Sequence, residues 1–264
     1  MHFQARLSAT LAGIVWLALA PLATGCASFG QQDEREAAAR QAKAHLAIGA
    51  DHLKNGRNAL ALHEFLVAEK FDPRNAQVQN ALGEGYFAQN KRVEAEAHYR
   101  RALELAPDYH DARLSLSVLY IVEERYADAA VECQKLLDDP TFPAPWRALA
   151  NLGFAELQQK NLIEARKHLT QALEYQKEYW PARLTLAQVE LSENRKREAL
   201  SLLSEVLALS PAPSVQAQAN YEIAQIYVSL GQREEAVAHL TTAVAQTPDG
   251  LWGRRSQESL KQLR

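Results

Sequence analysis

The sequence predicts an all-α protein, a solenoid built from six copies of one antiparallel helix pair. Three observations carry that expectation. Residue types recur at fixed places in segments of 34 residues. Hydrophobic residues reach 47%, enough for a real core, while 11 Gly and 10 Pro are too few for a many-turned β-sandwich. Charges of both signs are interspersed to a net of −3, which leaves no basic field for nucleic acid and no like-charged tail.

The first 25 residues stand apart. After Arg6 the next charged residue is Asp33, and between them lies LSATLAGIVWLALAPLATG, broken by Pro21 and ending in small residues. This is the layout of a cleaved signal peptide spanning 1–25. The competing reading, an uncleaved transmembrane anchor, is disfavoured by the short apolar core and its Pro and small-residue ending. Leu22-Ala23-Thr24-Gly25-Cys26 resembles a bacterial lipobox, departing from it at Ala23, where Leu is usual. The resemblance implies acylation of Cys26 as the mature N-terminus, and Ala27 in place of Asp implies sorting to the outer membrane. Several acyl chains on one residue anchor stably where one does not. Residues 26–41 then hold the lipidated cysteine, a short polar tether over 27–38 and the start of the first helix. With Cys26 acylated, Cys133 has no disulfide partner and reads as a small buried apolar residue.

The repeat occupies 42–250, in units 42–75, 76–109, 110–143, 146–179, 180–213 and 217–250, with 251–264 as a capping segment. The twentieth place is always alanine: Ala61, Ala95, Ala129, Ala165, Ala199 and Ala236. The eighth is always small: Gly49, Gly83, Ser117, Gly153, Ala187 and Ala224. Small residues at facing places let two helix backbones approach. The seventh place, always Ile or Leu, and the twenty-fourth, where Cys133 falls, fill the core around them. Pro73, Pro107, Pro211 and Pro248 end second helices, because the ring blocks continuation. Gly56 and Gly231 fall at the turn inside two units, where a left-handed residue fits. The pattern resembles the tetratricopeptide repeat, whose period is 34 residues. That resemblance implies a right-handed superhelix; one unit cannot bury its own apolar face, so stacking is obligatory and leaves a concave surface.

No catalytic chemistry emerges. The eight histidines form no HExxH and no zinc spacing with cysteine, and they read as solvated or half-buried side chains. Gly83-Glu84-Gly85 lies within a predicted helix and cannot be a nucleotide loop; GxSxG is absent. The expectation is no enzyme, no metal, no small-molecule substrate and no cofactor beyond the lipid on Cys26.

The informative residues are those at first-helix places five, nine and twelve, which face the concave surface in tetratricopeptide units. They are largely apolar here, and the candidate groove comprises Leu46, Leu53, Phe87, Leu114, Val118, Ile121, Phe154 and Leu157. The second unit interrupts this wall with Asn80 and Glu84, and Gln188 and Gln225 dilute it later. Two readings fit. The side chains pack helix against helix, or they line a groove for a partner's helix or strand, with Asn80, Glu84, Asn151 and Gln158 fixing its register.

The array breaks its rhythm at Asp138–Gly153, DDPTFPAPWRALANLG. Units three and four start 36 residues apart, so two residues are inserted. The helix before Pro140 should stop, and Pro143 and Pro145 should hold an extended connection. A second break lies at Pro211-Ala212-Pro213, where units five and six start 37 residues apart. A six-unit lipoprotein with Asp139, Pro140, Phe142 and Pro143 ahead of Asn151, Leu152 and Gly153 resembles the type IV pilus pilotins, the PilF/PilW/Tgl family. The resemblance covers about residues 26–250. It implies a non-enzymatic assembly factor, lipid-anchored on the periplasmic face of the outer membrane, that binds the pilus secretin and promotes its insertion and multimerisation. Twitching or social motility would depend on it. The alternatives are a periplasmic scaffold lipoprotein for cell-wall enzymes and one for exopolysaccharide export.

Overall fold

The computed structural model describes residues 24–210 and 212–263, and every regular element among them is helical. First helices of the units are α1 (Thr24–Lys54), α3 (Ala76–Ala88), α5 (His110–Val122), α7 (Pro145–Gln158), α9 (Trp180–Ser192) and α11 (Pro213–Ser229). Second helices are α2 (Asn58–Phe71), α4 (Arg92–Leu105), α6 (Tyr126–Leu137), α8 (Leu162–Tyr175), α10 (Lys196–Leu209) and α12 (Arg233–Gln246). The last helix, α13 (Leu251–Gln262), packs on α11 and α12 as a cap. Each helix packs on the next, and most consecutive first helices also touch, so the stack is continuous.

One packing rule generates the core. The six place-twenty alanines are fully buried, where only a methyl group separates two backbones. Place eight faces place twenty-four of the same unit. A Cβ on Gly49 would collide with the Phe65 ring, one on Gly83 with the Tyr99 ring, and one on Gly153 with Leu169. The other units pair Ser117 with Cys133, Ala187 with Leu203 and Ala224 with Leu240. The bulkiest residues at place twenty-four, the two aromatics, therefore stand opposite glycine. Cys133 is wholly buried, and burial pushes its thiol up to about 12, which leaves it an inert core residue.

The turn inside every unit uses one left-handed residue at place fifteen: Gly56, Asn90, Glu124, Lys160, Asn194 and Gly231, with φ between 59° and 74°. The two glycines were expected; the other four lie in the same conformation without that freedom. The residue after each returns its amide to the first helix, as Lys91 does to the Tyr86 carbonyl at 2.9 Å. This repeated hydrogen bond satisfies carbonyls that the helix end would otherwise leave open.

Three expectations need correction. The tether over 27–38 is helical, because α1 starts at Thr24 and runs unbroken into the first unit. The composition explains it: DEREAAARQAKAHL is rich in strong helix formers, and Gln32 and Arg40 both reach Glu36 one turn away. The connection at the first break is folded rather than extended. Helix α6 ends at Leu137, before Pro140 as predicted, but Pro145 is the first residue of α7, where its missing N–H costs nothing. At the second break the three extra residues join α11, which has 17 residues against 13 in α9. The predicted signal peptide lies, up to residue 23, outside the described residues. Cys26 falls within the bounds of α1.

Candidate functional site

The first helices of units one to four line a concave groove of about 560 Å³. Leu46 and Ala50 of α1, Phe87 of α3, and Leu114 and Val118 of α5 supply its apolar surface, with Phe65 and Tyr99 at its base. Four of the eight predicted residues, Leu46, Phe87, Leu114 and Val118, are thus brought together. The other four are not among its lining residues. Leu53 and Ile121 sit half-buried against the cores of their own units, and Leu157 is buried in the next core cluster. Phe154 meets Tyr126 edge-on, with ring centroids 6.4 Å apart. Three of these four, Leu53, Ile121 and Leu157, stand at place twelve, beside the turn; Phe87 at the same place of the second unit does reach the groove.

The groove is more polar than an apolar wall. Gln77, Asp111 and Arg147 all occupy place two of their units and line it together, along with Asn80, Glu84, Tyr109 and Ser115. The shared place was readable in the repeat alignment, but only places five, nine and twelve had been assigned to the concave side. Asn80 is 95% buried, its amide donates to Glu84 Oε1 at 3.0 Å, and its own Oδ1 has no partner. Burial raises the Glu84 carboxyl above the ordinary carboxylate range, Asn80 opposes that shift, Asp111 adds to it and Arg147 opposes it. The groove thus offers an apolar strip, polar side chains at place two and an easily neutralised acid. Among the other proposed register residues, Asn151 is committed internally, donating to Ser117 Oγ at 3.2 Å, and Gln158 is exposed outside the groove.

Histidines serve the scaffold. His98 contacts Gln79, His168 contacts Glu156 and His239 contacts Asn220, each at 2.8 Å. Among the described residues no three His, Cys, Asp or Glu side chains gather as a metal site would require. Nor is any described helix long and apolar enough to cross a membrane. The arrangement positions surfaces for contact.

Sequence profiles of the tetratricopeptide repeat match residues 46–109, 86–152, 156–217 and 191–254. The chain belongs to the tetratricopeptide repeat family. It is also similar to the type IV pilus assembly protein PilF of Pseudomonas aeruginosa, with 28% identity over 169 residues, 61% of this chain. It spans 65% of that relative's length. The fold matches the crystal structure of PilW, described as a widely conserved type IV pilus biogenesis factor, with a TM-score of 0.71 at 21% identity. That match covers 81% of this chain and 97% of PilW. The structure of P. aeruginosa PilF gives 0.68 at 19% identity, covering 85% and 99% of the two chains. These structural likenesses establish the repeat fold alone.

Proposed function

We propose that this chain is a non-enzymatic assembly factor of the type IV pilus, anchored to the periplasmic face of the outer membrane by lipid on Cys26. Its groove holds a subunit of the pilus secretin and promotes that subunit's insertion and multimerisation. The observation that carries the reading is the sequence similarity to PilF, which covers 61% of this chain. The groove supports it with a surface fit for an amphipathic segment. Leu46, Phe87 and Val118 take apolar side chains, and Gln77, Asp111 and Arg147 offer polar contacts to the segment. The break residues add to the case, because Phe142 is buried in the core between Leu114 and Leu152 rather than displayed. Their likeness to the pilotin pattern is therefore a likeness of architecture.

The test compares three strains: one lacking the protein, one with Cys26→Ala and one with Val118→Asp. Heat-resistant secretin multimers in membranes should be lost in the first and reduced or mislocalised in the other two. Lipid labelling of the protein should vanish with Cys26→Ala and persist with Val118→Asp. Normal multimers in the deletion strain would remove the secretin from the account.

A further inference from the structure

A second concave site lies at the other end of the array, beside the junction of α9 and α11. First helices approach their neighbours closely from α1 to α3, α3 to α5, α5 to α7, α7 to α9 and α11 to α13; α9 and α11 approach less closely and share a core through Ala187, Leu191, Ala219 and Ile223. Pro211 and Pro213 bracket this junction, and the longer α11 starts a turn before the unit boundary. The opening is a pocket of about 360 Å³ between α9, the start of α10, α11 and the cap α13. Its floor is apolar and aromatic: Leu191, Ile226, Tyr221 and Trp252, the last two with ring centroids 5.3 Å apart.

Two cations line it, Lys196 at the first turn of α10 and Arg255 on α13. Neither has an acidic partner within ion-pair distance among the described residues; Arg255 rests over the Trp252 ring, 4.9 Å from its centroid. The one acid in the pocket, Glu222, is internally occupied. Its Oε1 accepts from Gln188 across the junction and from Gln218, both at 2.9 Å, while its buried Oε2 has no partner. Burial raises its carboxyl above the ordinary range, so it offsets little of the positive charge. Arg166 and Arg195 are already paired with Glu190 and Glu193, whereas Lys196 and Arg255 stay available to a partner's carboxylate.

We propose that this opening is a second peptide-docking site, separate from the N-terminal groove, for an extended partner segment carrying an aromatic side chain beside a carboxylate. The aromatic group stacks on Tyr221 and Trp252, burying area that a solvated pocket leaves wet. The carboxylate meets Arg255 and Lys196, a charge-assisted contact that the guanidinium can make with two hydrogen bonds. Side-chain amides of Gln188 and Gln225, at the same place in consecutive units, offer their carbonyl oxygens to the segment's backbone. An acidic aromatic segment therefore finds a matching group for each of its parts, and a basic one does not.

Fluorescein-labelled ten-residue peptides and the full chain provide the test: one peptide with Phe between two Glu, one with Lys in place of Glu, one with Ala in place of Phe. The first should bind, and the other two should bind about tenfold more weakly or not at all. Lys196→Glu and Arg255→Glu lie outside the core, so melting should be unchanged while affinity falls about tenfold each; the double variant should prefer the lysine peptide. Val118→Asp, which alters the other groove, should leave binding intact. Equal binding of all three peptides, unchanged affinity in the double variant, or no binding to the unmodified chain would overturn the proposal. Loss of binding with Val118→Asp would place the peptide in the N-terminal groove and equally overturn it. The secretin assay reads a different groove, so either proposal can fail alone.

Discussion

The two breaks in the array are alike in sequence and opposite in structure. Both insert a few proline-containing residues between units, yet α5 packs on α7 more closely than α9 packs on α11. The difference is what the inserted residues bring with them. At the first, Phe142 enters the core with Leu114, Cys133, Leu136, Ala148 and Leu152, and meets the His110 ring at 5.2 Å. Asp139 accepts from the Thr141 amide at 2.8 Å and contacts His110 Nε2 at 2.7 Å, locking the loop to α5. At the second, no inserted aromatic enters the core; Ala187, Ala219 and Ile223 share one core cluster, and the Gln188–Glu222 hydrogen bond joins the two helices. An insertion disturbs a solenoid by what it packs into the core rather than by its length.

That comparison can be broken or sharpened. Phe142→Ala should have the largest effect, about 3 kcal/mol of stability, by leaving a cavity in the junction core. Denaturant melts should read the loss, and hydrogen exchange in α5 and α7 should rise toward that of α9 and α11. Gln188→Ala comes next, at about 1–2 kcal/mol, because it takes one of two donors from a largely buried carboxyl group; an unchanged melt would show that the opening tolerates solvent at Glu222. Glu124→Gly and Lys160→Gly flank the first break in left-handed turns and should each stabilise by about 1 kcal/mol, removing Cβ strain. A gain at Glu124 and Lys160 larger than at Asn90 and Asn194 would match the greater tolerance of Asn for this conformation.

The smallest expected effect is on pH. Hydrogen bonds from His110, then Thr141, hold the Asp139 carboxyl at about 2, below its ordinary 3.8. The unfolded chain therefore takes up this proton first as pH falls. The contribution is complete above about pH 4 and is lost between 3.8 and 2. His110→Ala should return the carboxyl toward its ordinary value, measurable by NMR titration, and flatten the acid limb of stability slightly.

Much of the fold was legible because the repeat writes its packing into residue size: alanine at place twenty, and glycine at place eight opposite Phe65 and Tyr99. The left-handed turns were legible only at Gly56 and Gly231, since Asn90, Glu124, Lys160 and Asn194 adopt the same φ without advertising it. The inward direction of Phe142 was hidden because proline spacing reports where a helix stops, not which way the next side chain points. Half of the candidate groove was found from its apolar places. Of its polar lining Asn80 and Glu84 were legible, while place two was missed because it stands at the helix start and carries Gln77, Asp111 and Arg147, three chemically unrelated residues.

The continuous helix α1 bears on distance. With Cys26 acylated as proposed, the residues from there to Ala42 form part of one rod rather than a loose leash, and at about 1.5 Å per residue they span about 24 Å. That length then sets an upper limit on how far the first unit can stand from the lipid headgroups, so a partner segment is met only within the reach of the rod, whatever its tilt.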